Sequence, residues 1–189
     1  CALPIWKNKI GFNFPADGDY YSFGTVNITL GHQWDVVSHE LGHAIYDQAK
    51  IGAFGGGSHK IDECYSEALA LSEGWASFFA AWLNIGLNDG DAKFEFMVPR
   101  RAPIRIETIP ADVCGKSTNE WRVTGFLWDL IDLHRDPEGL NETFTRLFAD
   151  TLNQKVKNVT DMKNKLLARG WSSQEMDLIW KLNFPAETK

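Results

Sequence analysis

His39-Glu40-Leu41-Gly42-His43 is the stretch whose reading decides the fold. Residues four apart lie on one face of a helix, so the two imidazoles aim at a single point. Glu40, about 100° around the helix from His39, reaches the side that the histidines leave open. Two nitrogen ligands with a carboxylate between them are what a zinc ion and its water require. The flanks agree: Val36, Val37, Leu41, Ala44 and Ile45 form an apolar helical stripe, and Asp35 stands where a helix N-terminus favours an acid.

A catalytic zinc needs a third protein ligand. The metzincin pattern places Gly three and His six residues after the second histidine, and those positions are Tyr46 and Ala49, so a downstream helix must supply it. The segment from about Glu63 to Leu87 reads as one long buried helix with three carboxylates, Glu63, Glu67 and Glu73. Glu73 lies deepest in the apolar run, where an unpaired carboxylate is costly and a bound cation offsets that cost. Glu63 and Glu67 stand near the helix start, facing water, with Glu67 as second choice.

Ser72-Glu73-Gly74-Trp75-Ala76-Ser77-Phe78-Phe79-Ala80 resembles the ligand helix of fungalysin-type peptidases, and with the HExxH stretch the chain resembles the gluzincins over residues 35 to 80. The resemblance implies a zincin-like fold with Zn2+ held by His39, His43 and Glu73. It also implies that the strand before the motif helix, Thr25 to Leu30, forms the rim of the cleft and pairs with extended substrate. One position departs: Ser77 stands where the family has an aspartate that orients the first histidine, a bond that a serine accepts less strongly. Asn119 to Asp132 is similar to a Trp- and Asp-bearing helix of secreted bacterial zincins, and no role is carried over from it.

Such a site predicts hydrolysis of a peptide bond, with Glu40 as general base and then general acid. A donor for the developing oxyanion is expected among Tyr46, Arg122 and His134, with Tyr65 and His59 as further candidates. An endopeptidase is preferred because no Gly-x-Met-x-Asn motif for a free amino terminus is present. The same motif also fits an aminopeptidase, a zinc hydrolase of non-peptide bonds and a silent zinc-binding interaction module. Glu40 argues against the last, since a purely structural site gains little from a base.

Composition bounds the rest. With 189 residues, 44% of them hydrophobic, and eight tryptophans, the chain can bury a full core. Its formal net charge of -6, without a basic run, points to a peptide or protein partner rather than nucleic acid. The expected architecture is α+β, helix-dominated and zincin-like, as a single catalytic domain: a strand lobe with the motif helix over 1–50 and a helical lobe over 51–189. Later helices are expected over Gly139 to Thr151, Thr160 to Arg169 and Ser172 to Leu182, the last opening on a Ser172/Glu175 capping box. Gly52 to Ser58 reads as a flexible loop, and Arg100, Arg101 and Arg105 as solvated loop charge. Of Cys1, Cys64 and Cys114, the last two are the expected disulfide pair, each at a loop-to-helix junction. The most apolar segment contains Glu67 and Glu73 and reads poorly as a membrane span. A secreted or otherwise extracytoplasmic protein is expected, with any signal or pro-segment already removed.

Overall fold

The HExxH stretch sits in the middle of helix α1 (Trp34–Gln48), as its periodicity predicts. The computed structural model describes residues 9–134 and 140–187. Ahead of α1 come three short strands, β1 (Gly11–Asn13), β2 (Tyr20–Ser22) and β3 (Thr25–Asn27). After it come α2 (Glu67–Asn84), the small ladder β4 (Lys93–Phe94) and β5 (Ile104–Arg105), and α3 (Glu120–Trp128). Helices α4 (Phe144–Thr151), α5 (Val159–Ala168) and α6 (Ser173–Asn183) close the chain. The class is the expected helix-dominated α+β.

Helix α2 is shorter than the predicted 63–87. Ser66 caps it by accepting from the Leu69 amide at 3.2 Å, which leaves Glu63 outside the helix. The residues before the cap are held in place by the predicted Cys64–Cys114 disulfide and by a 2.9 Å bond from the Tyr65 amide to the Thr118 carbonyl. Every residue from Leu69 to Ala81 is buried, so this part of α2 is enclosed on all sides. Its Trp75 and Phe78 share one core cluster with Trp121, Phe126 and Trp128 of α3.

Two glycines allow the neighbouring helices to come close. A Cβ on Gly42 would lie 2.8 Å from both the Cα and the carbonyl oxygen of Ala76, so α1 meets α2 backbone to backbone inside the HExxH stretch. A Cβ on Gly74 would lie 2.6 Å from Val123 and 3.0 Å from the Glu120 carbonyl, so α3 meets α2 just as closely beside Glu73. Gly42→Ala gains about 1 kcal/mol of helix propensity, but its methyl group meets backbone that has no room to give. Overpacking of this kind costs about 1–3 kcal/mol. We expect net destabilisation in urea unfolding, and an unchanged midpoint would contradict this packing.

The strand expected over residues 25–30 ends at Asn27 and is not a rim. Strand order is β1-β3-β2, with β3 parallel to β1 and antiparallel to β2, so both edges of β3 are already paired. The edge strand nearer the cleft is β2. The Gly-rich loop also differs from expectation. The Gly55 amide donates to Ser72 Oγ at 3.2 Å, that hydroxyl donates to the Gly55 carbonyl at 2.8 Å, and a Cβ on Gly55 would lie 2.3 Å from the Leu69 amide nitrogen. This glycine is needed for close approach to α2 rather than for freedom. Arg101 and Arg105 are paired with Asp112 and Asp91 at 2.9 Å each, and Arg100 lies 3.7 Å from Asp62, as expected of surface charge.

The later helices begin at side-chain caps, Thr143, Asn158 and Ser172, each accepting from a main-chain amide three residues on. The first of them starts at Phe144 rather than Gly139; Gly139 and Cys1 lie outside the described residues. No helix among the described residues is long and apolar enough to cross a membrane.

Candidate metal centre

The close approach of α1 to α2 brings His39, His43 and Glu73 together. His39 Nε2 lies 3.0 Å from His43 Nε2 and 3.1 Å from Glu73 Oε2, and His43 Nε2 lies 3.2 Å from the same oxygen. This is a nearly equilateral triangle of two imidazole nitrogens and a carboxylate oxygen. Donors held ~2.0–2.1 Å from a tetrahedral ion stand roughly 3.3 Å apart, so the triangle fits zinc. Glu40 lines the same cavity, of about 360 Å³, with its carboxylate among the buried polar groups.

The tautomer of His39 is set from behind. Its Nδ1 lies 3.1 Å from Ser77 Oγ, and that hydroxyl in turn lies 3.7 Å from Met97 Sδ. The serine therefore accepts from His39 and donates to the thioether, which leaves the Nε2 lone pair facing the centre. Asp35 organises the opposite wall. Fully buried in the first turn of α1, its Oδ2 accepts from the amides of Glu95, Phe96 and Met97 at 3.0, 2.7 and 3.0 Å. The acid stands in the first turn of α1, as expected of a helix N-terminus, and also anchors the loop whose Met97 and Val98 line the cavity.

Burial works on every charge here. It pushes the Glu73 carboxyl up, but hydrogen bonding to His39 and His43 outweighs it and holds that group below the usual carboxylate range. Burial raises Glu40, with His39 and His43 opposing only in part, so its carboxyl is displaced towards the range useful to a general base. His39 is raised: burial disfavours its charged form, and Glu73 and Glu40 more than compensate. His59 is held up to about 9 by the adjacent Glu120 carboxylate.

The structure does not bring the three expected oxyanion donors to this cleft. Tyr46 shares a helix face with the histidines but is fully buried a turn further on. Its hydroxyl donates to the Ala53 carbonyl at 2.9 Å, between Phe54 and Trp75. The Arg122 guanidinium donates to the carbonyls of Pro110 and Val113, at 3.3 Å each, and so ties down the segment before Cys114. His134 packs its ring over Gly90. Tyr65 is held at the surface by Glu63 and the Lys60 amide. Glu67, the second choice for ligand, accepts from Asn158 at 2.8 Å in an exposed position.

His59, the remaining candidate, does line the cavity, and so does Glu120, which the sequence reading passed over. Glu120 follows the Asn119 cap of α3, where an acid needs no explanation beyond the helix dipole.

The mycolysin C-terminal domain family model matches residues 6–174. The chain belongs to this family. No curated protein matches the chain, and no solved structure does. The mycolysin C-terminal domain occurs in zinc metallopeptidases, and the matched residues include the whole of the cavity lining, from Asp19 to Glu120.

Proposed function

We propose that this mycolysin-family chain is itself a gluzincin-type zinc peptidase, cleaving internal peptide bonds. The observation that carries the reading is the convergence of His39 Nε2, His43 Nε2 and Glu73 Oε2 on one point, in a cavity that Glu40 also lines. Those three residues would hold Zn2+, which supplies Lewis acidity towards a carbonyl and acidifies water. Glu40 takes the proton of the attacking water and returns it to the leaving amine. Since Tyr46, Arg122 and His134 are spent elsewhere, the oxyanion donor is His59, through a proton at Nε2.

Strand β2 is the part of the sheet that meets the cavity, with Tyr20 and Tyr21 in the lining. It is an edge strand of its sheet, so an extended peptide can pair with its backbone whatever the peptide's side chains. The Cys64–Cys114 bridge fits the oxidising, extracytoplasmic setting of a secreted peptidase.

The test is to assay the purified protein on unfolded casein and on a peptide library with blocked amino termini. Cleavage is expected, abolished by 1,10-phenanthroline and restored by zinc. Cleavage confined to free amino termini would replace the endopeptidase by an aminopeptidase. Zinc binding without hydrolysis of any peptide would leave only a zinc-binding module.

A further inference from the structure

The cavity gathers three buried carboxylates, more than the first metal site uses. Glu40, Glu73 and Glu120 are each 6–7% exposed, and among the described residues no lysine or arginine lines the cavity. The three carboxylates carry three negative charges, of which one divalent cation offsets two and the proton on His59 the third, so a second cation would stand where that proton does. Buried charge left unpaired is costly.

Two of these carboxylates stand beside His59. His59 Nε2 lies 3.1 Å from Glu120 Oε2 and 3.8 Å from Glu73 Oε2. The other ring nitrogen, Nδ1, lies 2.8 Å from the Gly57 carbonyl, to which Nδ1–H donates, so the proton that a cation would displace is the one on Nε2, facing the carboxylates. A histidine that ligates a metal is usually oriented in this way, by a carbonyl on its far nitrogen. Glu120 Oε2 is buried and makes no hydrogen bond although His59 is within reach. His59 Nε2 and Glu120 Oε2, paired at 3.1 Å, stand as close together as two ligands of one ion do.

We propose that His59, Glu120 and Glu73 form a second divalent-cation site, sharing the Glu73 carboxylate with the His39/His43 site. The proposal rests on the zinc-peptidase reading above. Imidazole with two carboxylates suits zinc, cobalt or manganese. The second site is the weaker, because its 3.8 Å from His59 Nε2 to Glu73 Oε2 is longer than any side of the first triangle and because two cations on one carboxylate repel each other. His59 Nε2 serves as oxyanion donor or as ligand, never both at once, so filling the second site inhibits.

Equilibrium dialysis against zinc chloride, with bound metal counted by mass spectrometry, tests this. Wild type is expected to bind two equivalents, the second at least about tenfold more weakly than the first. Glu120→Gln and His59→Asn are each expected to bind one, with the tight site retained and far-UV circular dichroism unchanged. Titration with cobalt should give two successive d–d absorption phases in wild type and one in either variant. Peptide cleavage by wild type should fall over the range in which the second equivalent binds. One equivalent in wild type overturns the second site and leaves the peptidase reading standing, whereas none overturns both. Two equivalents in both folded variants place the second ion elsewhere and overturn the assignment. Cleavage that stays level as the second ion binds overturns its inhibitory role.

Discussion

Glu73→Ala is expected to empty the metal centre and abolish peptide cleavage. The carboxylate oxygen closes the triangle with both imidazole nitrogens at 3.1 and 3.2 Å, and without it two histidines remain on one helix face. Losing a residue that merely supports a ligand costs about 10–100-fold in metal affinity, and losing a ligand outright costs more. Because Glu73 also belongs to the proposed second site, this single change should remove both ions. Dialysed protein should therefore contain no zinc. The control is Glu67→Ala, six residues earlier on the same helix, whose carboxylate is exposed and bonded to Asn158. It should retain zinc and activity. A Glu73→Ala protein that keeps its zinc would remove Glu73 from the ligand set.

Glu40→Gln is the second large effect, and it separates chemistry from metal binding. Glutamine keeps the shape of the side chain but no longer accepts a proton from water, so kcat should fall about 10²–10⁴-fold, the usual contribution of a positioned base. Zinc content should stay at the wild-type value, since the carboxylate belongs to neither group of candidate ligands. KM should change little, because the lost interaction is made in the transition state. Wild-type turnover by the zinc-loaded variant would mean that Glu40 is not the base. Loss of zinc would instead mean that its role is structural.

What was legible beforehand is the local part of this site. His39, Glu40 and His43 are placed by one helical repeat, and the repeat survives folding because α1 is continuous from Trp34 to Gln48. Glu73 was legible for a different reason: an acid in the middle of an apolar run requires a partner, and the fold brings two imidazoles to it. Ser77 was visible as a departure from the fungalysin-like pattern, and its hydroxyl does lie within hydrogen-bond distance of His39 Nδ1. The Cys64–Cys114 pair was chosen by the junctions it fastens, and the bridge is there.

The oxyanion donor was not legible, because Tyr46, Arg122 and His134 have the right chemistry and nothing along the chain reports what their polar atoms meet. Each finds its contacts on a segment outside the metal helices: the Ala53 carbonyl, the carbonyls of Pro110 and Val113, and Gly90. The central position of β3 was hidden in the same way, since the partners of a strand are non-local. His59 follows the stretch read as a flexible loop, yet the bonds between Gly55 and Ser72 pin that loop to α2, and the imidazole lines the cavity.

By itself the sequence determined which residues offer a metal ligand or a base, because helical periodicity and the cost of burying charge act within a single element. Tertiary structure decided which of them share a cavity. The reason lies in two helix crossings, where Gly42 meets Ala76 and Gly74 meets the backbone of Glu120. Backbones that approach this closely carry Glu73 to the histidines on one side and Glu120 to Glu73 on the other, a proximity that depends on packing between elements far apart in the chain.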